Sequence, residues 1–263
     1  MISLRFTCQL DVLNKFRKLK NLELFGGDFS EDNIGHMLDN IGQGLVKLDL
    51  HHVDNIDLRA IALLSKACQR LKHLGFSACI FYHPDIEILD ENPNNHLYIL
   101  QQQRIEQEWK SELVPMLDLE TISIANPCPE KLLIIFLSLC INVKKLNLGM
   151  NCGITDSTFE KIFIHNKFQY LEEVEIKKND ELTMKTVSNL LLYCDNLRSI
   201  LDLDEWSKVN KDDLEELKYH MKENNIDLVL QEKPADMRGI SLYQICQTAL
   251  KEKYKRSEWF DDA

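Results

Sequence analysis

The sequence has no apolar run approaching the ~18–20 residues a membrane-spanning helix needs. It also lacks a basic start followed by an apolar stretch, so Met1-Ile2-Ser3-Leu4-Arg5-Phe6-Thr7-Cys8 does not read as a secretory leader. No Asn-x-Ser/Thr acceptor occurs, which agrees with a chain outside the secretory route. Positive charge is scarce: 31 Lys and Arg face 42 Asp and Glu, a formal net charge of −11. Nucleic acid is recognised by cations that neutralise phosphates, so this balance disfavours it. It leaves open a basic protein partner or a role in solubility alone. There is no glycine-rich phosphate loop, and no nucleophile stands beside a recognisable base. The expectation is a protein that is not an enzyme and carries no cofactor. His51-His52-x-Asp54 imitates a metal cluster, but adjacent strand positions point to opposite faces, so no metal site is expected. Cys128, between Pro127 and Pro129, has no second cysteine beside it.

What is present is a repeat. Val143-Lys-Lys-Leu-Asn-Leu-Gly-Met-Asn-Cys-Gly-Ile-Thr-Asp156 reads L-x-x-L-x-L-x-x-N, then a turn, then a hydrophobe opening a helix. The strand triplet returns at Leu19/Leu22/Leu24, Leu45/Leu48/Leu50, Leu71/Leu74/Phe76, Leu119/Ile122/Ile124, Val143/Leu146/Leu148 and Leu171/Val174/Ile176. Successive triplets begin 26, 26, 48, 24 and 28 residues apart. All but the third interval lie in the leucine-rich-repeat range of roughly 20–29 residues, and the third is one repeat carrying an insertion. A further strand lies near Leu197–Leu203. There Leu197 and Ile200 fit one frame and Leu201 and Leu203 another, with Asp202 at an apolar position of the first. A shift of one residue exchanges the two faces, so both frames stay open. Ile226–Leu230 reads as a last degraded strand, and Leu4 and Phe6 as an abbreviated first one.

The other half of each repeat changes period. Ile56, Ile61, Leu64, Cys68 and Leu71 recur as Leu182, Val187, Leu190, Cys194 and Leu197 at identical offsets. Their first members have helical spacing, and Asp57 and Thr183 are placed as helix N-caps. A single strand and helix cannot bury their own apolar faces, whereas stacked units make a continuous core. The expected fold is therefore α/β: a right-handed leucine-rich-repeat solenoid of about seven to eight repeats. Its parallel strands would line the concave face and its helices the convex face. The solenoid is assigned to residues 1–232, with an insertion at about 82–113, and residues 233–263 to a C-terminal helix and tail. The eight cysteines follow the repeat rather than a disulfide pattern. Cys68, Cys140 and Cys194 each precede a strand triplet by three residues, as small buried side chains one repeat apart would. Cys79 follows Phe76 as Asn151 follows Leu148 and Asn179 follows Ile176, in a turn whose buried backbone needs partners. Reduced thiols imply a cytoplasmic or nuclear protein.

Cys68-x-x-Leu71-x-x-Leu74-x-Phe76-x-x-Cys79, and Ile154-Thr155-Asp156 after Asn151, resemble the cysteine-containing leucine-rich repeats of the F-box/leucine-rich-repeat family. The resemblance covers roughly residues 19–203. It implies a substrate-recognition solenoid of a cullin–RING (SCF-type) ubiquitin ligase, acting in ubiquitin-dependent protein degradation. In that family a separate N-terminal F-box binds the ligase adaptor, and this sequence shows no F-box. In that respect it is similar to the mitotic-exit antagonist type, which has such repeats without the F-box. The alternative expectation is a stand-alone scaffold or inhibitor that holds a basic protein and is unrelated to ubiquitin.

Strand alternation places a set of side chains outward on the concave face, where a partner protein would bind. They are Asn21, Glu23, Phe25, Lys47, Asp49, His51, His73, Ser77, Thr121, Ser123, Lys145, Asn147, Glu173, Glu175 and Lys177, with Gly75, Ala125 and Gly149 between them. Glu173 and Glu175 would make one end acidic, opposite Lys47 and His73. The insertion, with its Asp90–Asn95 loop and a helix over Leu97–Leu113, contacts a ligand or packs on itself. Gly239–Arg256 reads as an amphipathic helix with Leu242, Cys246 and Ala249 on one stripe, either a cap or a gripping segment. Trp259 and Phe260 before Asp261-Asp262 form a short docking motif or a disordered end.

Overall fold

A computed structural model of the chain describes residues 2–5, 16, 18–29, 32–82, 107, 110–150, 152–223 and 228–231. By its contacts the chain divides into two units, Met1–Gln231 and Glu232–Ala263, and all described residues belong to the first. That unit is α/β. Its sheet has nine parallel strands in chain order: β1 (Ile2–Arg5), β2 (Asn21–Phe25), β3 (Lys47–His51), β4 (His73–Ser77), β5 (Thr121–Ile124), β6 (Lys145–Leu148), β7 (Glu173–Ile176), β8 (Ser199–Leu201) and β9 (Val229–Gln231). Each strand pairs with the next in sequence. The register is continuous: Leu22, Leu48, Leu74, Ile122, Leu146, Val174 and Ile200 form one row of partners across the sheet. All seven are fully buried.

Helices link the strands. They are α1 (Asp32–Ile41), α2 (Leu58–Ala67), α3 (Glu130–Leu139), α4 (Asp156–His165), α5 (Met184–Tyr193) and α6 (Lys211–Glu223). The first five are ten residues each, so every repeat sets a helix of about 15 Å against the sheet. Their starts are fixed locally. The Asp57 carboxylate accepts from the Ala60 N–H at 2.9 Å, Thr155 and Thr158 exchange a capping box, and the Thr183 hydroxyl accepts from the Lys185 N–H. Such caps satisfy N–H groups that the helix itself leaves without partners.

Strand ends are equally systematic. His52, Ala78 and Asp202 each follow a strand in the left-handed region, at φ of 54°, 53° and 58°. That conformation turns the chain off the sheet within one residue, at a steric cost of about 1–2 kcal/mol for a side chain with Cβ. Asp202 settles the strand whose frame was open. Ile200 faces the core, Leu201 faces outward, and the chain leaves the sheet at Asp202 before a second inward position is reached. Leu203 enters the core from the following 3-10 turn. The last strand is Val229–Gln231, with Leu230 opposite Ile200.

Polar side chains stitch one repeat to the next. Asp156 accepts from the Thr183 N–H and hydroxyl and from the Thr186 hydroxyl, at 3.0, 2.7 and 2.6 Å. Burial works against its ionisation, but these hydrogen bonds outweigh it and hold its carboxyl below the usual range. Glu130 accepts likewise from Thr158 and Lys161. The buried Asn166 spans two turns, donating to Leu137 O and Cys140 O and accepting from the Phe168 N–H. Trp206, 1% exposed, donates its indole N–H to Ile176 O and closes the β8 repeat. The sequence reading identified neither residue, because their partners lie 26–30 residues away.

Two cysteine readings change. Cys68, Cys140 and Cys194 are all buried at the helix ends, but they are not in consecutive repeats. Met116 occupies the same site between the first two and Phe168 between the last two, three residues before Leu119 and Leu171. Cys128 does have a neighbouring cysteine. The stacking brings Cys152, at the same place in the next repeat, close enough for its carbonyl to accept from the Cys128 N–H at 3.4 Å. In the turn after β7, Asn179 supports the backbone as expected. It donates to Ile154 O and accepts from the Glu181 and Leu182 N–H groups. Asn151, Phe6, the Asp90–Asn95 loop, the Gly239–Arg256 helix, and Trp259 and Phe260 lie outside the described residues, as does most of the Leu97–Leu113 helix.

Candidate interaction surface on the sheet

The inward residues of each strand pack under the helices, while their neighbours remain partly exposed. The described helices therefore cover one side of the sheet and leave the other open. In-register pairing turns that open side into rows. The first is Asn21, Lys47, His73, Thr121, Lys145, Glu173 and Ser199. The second is Glu23, Asp49, Gly75, Ser123, Asn147, Glu175 and Leu201. Phe25, His51 and Ser77 begin a third. Backbone hydrogen bonds from Ala125, Gly149 and Lys177 to the preceding strands continue it. All fifteen outward residues read from the sequence lie on this one face. Ser199 and Leu201 join them from β8, and the undecided frame of that strand had concealed both.

The face is electrically organised. On β3 and β4, Asp49 lies 2.9 Å from both Lys47 Nζ and His73 Nε2. Burial opposes ionisation of Asp49, but hydrogen bonds and charge from His73 and Lys47 prevail and lower its pKa to about 2. The bond to Asp49 in turn raises the Lys47 pKa. The Asp49 carboxylate lies over Gly75, where any Cβ would collide with Oδ1. A glycine at this position is what lets the carboxylate reach across to His73. Beside the cluster, the Phe25 and His51 rings stack with centroids 4.5 Å apart.

At the other end, Lys145 meets Glu173 at 3.3 Å and Lys177 meets Glu175 at 2.8 Å. This corrects the expectation of an acidic end, because each glutamate there is matched by a lysine on its own or the adjacent strand. Between the two charged clusters lies a stretch of small, uncharged residues: Gly75, Ser77, Thr121, Ser123, Ala125, Asn147 and Gly149. Gly149 is required there, since a Cβ would come within 2.6 Å of Ala125 Cα and 2.8 Å of Ala125 O. Asn147 Oδ1 is shielded from solvent and has no donor among the described residues.

His51 stacks on the open face, while His52 is exposed in the turn beyond it, so the two imidazoles are not convergent. Among the described residues, no cluster of three or more His, Cys, Asp or Glu is placed to hold a metal ion. Burial pushes the Cys68, Cys128 and Cys194 thiols up to about 12, which opposes nucleophilic chemistry at them. No described helix is long and apolar enough to cross a membrane. No protein-family model matches this chain, and no curated protein matches it.

Proposed function

We propose that this chain is a leucine-rich-repeat protein, with the sheet on the concave side, and that the open sheet face holds a protein partner. The observation that carries the reading is the in-register row structure. Side chains from seven neighbouring strands lie side by side on a surface that no described helix covers. Chain-order strands at intervals of 24–28 residues support the repeat class. A broad, shallow, mostly neutral centre suits an extended protein surface better than a small molecule.

Within that reading, the resemblance of the repeats to the F-box/leucine-rich-repeat family supports a role in selecting substrates for a cullin–RING ubiquitin ligase. Adaptor binding would run through an F-box, and this sequence contains none. The net charge of −11 favours a second reading, a stand-alone scaffold or inhibitor holding a basic protein. Proximity labelling in cells separates the two. Cullin-ligase subunits that are labelled by the native chain and lost with Ser123→Arg/Asn147→Arg support the ligase role. Partners without those subunits, lost with the same variant, support the stand-alone role. Partners unaffected by the variant remove the sheet face from both.

A further inference from the structure

The ninth residue of every described helix occupies the same place in its repeat. In α1, α2 and α3 it is Asn40, Lys66 and Ser138. In α4, α5 and α6 it is Ile164, Leu192 and Tyr219. The last three are the most exposed large hydrophobic side chains among the described residues, at 72%, 67% and 62%. Single exposed hydrophobes are ordinary, but three at one repeat position in consecutive helices form a line. The line is not an extension of the core. Its neighbours Phe163 and Tyr193 turn inward and hold the ends of α4 and α5 together, with ring centroids 4.9 Å apart.

We infer that Ile164, Leu192 and Tyr219 form a docking stripe for an amphipathic, basic helix of another protein. Packed helices lie ~8–10 Å apart, and a helix advances ~10.5 Å in seven residues. One partner helix crossing the stripe therefore meets each of the three with every seventh residue, the seam by which helices pack on one another. Charge sets the sign of the partner. α6 carries five carboxylates (Asp212, Asp213, Glu215, Glu216 and Glu223) against three lysines. The stripe lies near helix C-termini, where the macrodipole is negative, and the whole chain is at −11. The same charges oppose stripe-to-stripe pairing of two copies. This surface does not depend on what the sheet face holds.

The test uses the full chain and a fluorescein-labelled synthetic helix of about eighteen residues, with leucine at every seventh position and lysine and arginine on its flanks. Saturable binding is expected. It should weaken by at least about tenfold in Ile164→Gln/Leu192→Gln/Tyr219→Gln, whose circular dichroism and thermal midpoint should match the native chain. If the triple variant misfolds, Leu192→Gln alone is read the same way. A peptide with glutamate for lysine and arginine should bind at least about tenfold more weakly, while Asn40→Ala/Lys66→Ala should bind as the native chain does. Absent binding, equal affinity of the stripe variant, or equal affinity of the acidic peptide overturns the assignment. So does a native dimer that the triple variant converts to monomer, which gives the stripe to a second copy.

Discussion

Replacing Asn166 by alanine tests whether side-chain bridges between repeats, and not only leucine packing, hold this fold. Asn166 makes three hydrogen bonds, at 2.9 Å to Leu137 O, 3.0 Å to Cys140 O and 2.9 Å from the Phe168 N–H. Leu137 O keeps a second donor in the Cys140 N–H, so truncation leaves two groups without their partner: Cys140 O and the Phe168 N–H. Each buried group left unsatisfied costs about 1–3 kcal/mol. Phe168 adds to this because it is held at φ 49°, a conformation a phenylalanine reaches only under constraint, with its ring fully buried. The expected loss is about 2–5 kcal/mol, or roughly 5–15 °C in thermal midpoint for a unit of this size. Asn166→Asp carries the argument further, since an ionised carboxylate would face two carbonyl oxygens. Its folded pKa must then rise above the unfolded value of about 3.9. The penalty is full above the raised folded pKa and vanishes below the unfolded one. Asn166→Asp should therefore lie below Asn166→Ala at pH 7 and recover relative to the native chain as the pH falls toward 4. Urea titration by circular dichroism reads the stability, and hydrogen exchange at the Phe168 amide reads the local bond. A loss under about 0.5 kcal/mol for alanine, or an aspartate variant insensitive to pH, would refute the reasoning.

Leu148→Ala deletes a side chain in the core row of β6 and should cost about 2–5 kcal/mol by urea titration. Gly149→Ala places a Cβ against the backbone of Ala125 and should cost about 1–3 kcal/mol by the same measurement, unlike a substitution at an open surface glycine. Asp49 has a depressed folded pKa, about 2 against a reference of 3.8. Its contribution to stability is complete above 3.8 and is lost as the pH falls through the folded value. Asp49→Asn should flatten that segment of the stability–pH curve, and a carboxyl carbon titration by NMR should place the midpoint well below that of free aspartate. Iodoacetamide should label Cys68, Cys128 and Cys194 far more slowly in the native chain than in urea, as read residue by residue by mass spectrometry.

The repeat class and the strand register were legible because both rest on local chemistry. Alternation in Leu22-Glu23-Leu24 or Leu146-Asn147-Leu148 specifies which side chain points inward, and a one-residue slip would expose every leucine. Helix starts were legible at Asp57 and Thr183 because a cap acts within three residues. The spacing of the triplets then gave strand order, since a repeat buries its face only against its neighbour.

Tertiary structure decided whatever depends on two repeats at once. The β8 frame turned on whether Asp202 continues the strand or leaves it, and the core resolved this by accepting Ile200 and Leu203. The meeting of Cys128 and Cys152, the bridges of Asn166 and Trp206, and the neutralisation of Glu173 and Glu175 each join residues 2–30 positions apart. A linear pattern shows such residues but not that they touch. The outer stripe has the same character: Ile164, Leu192 and Tyr219 look like unremarkable apolar residues in three helices until stacking aligns them. The sequence by itself determined which side chains could fill a stacked core, because burial of hydrocarbon follows from period alone. Only the stacked structure determined which polar and apolar groups face each other across repeats, because those distances are set by the packing and not by the chain.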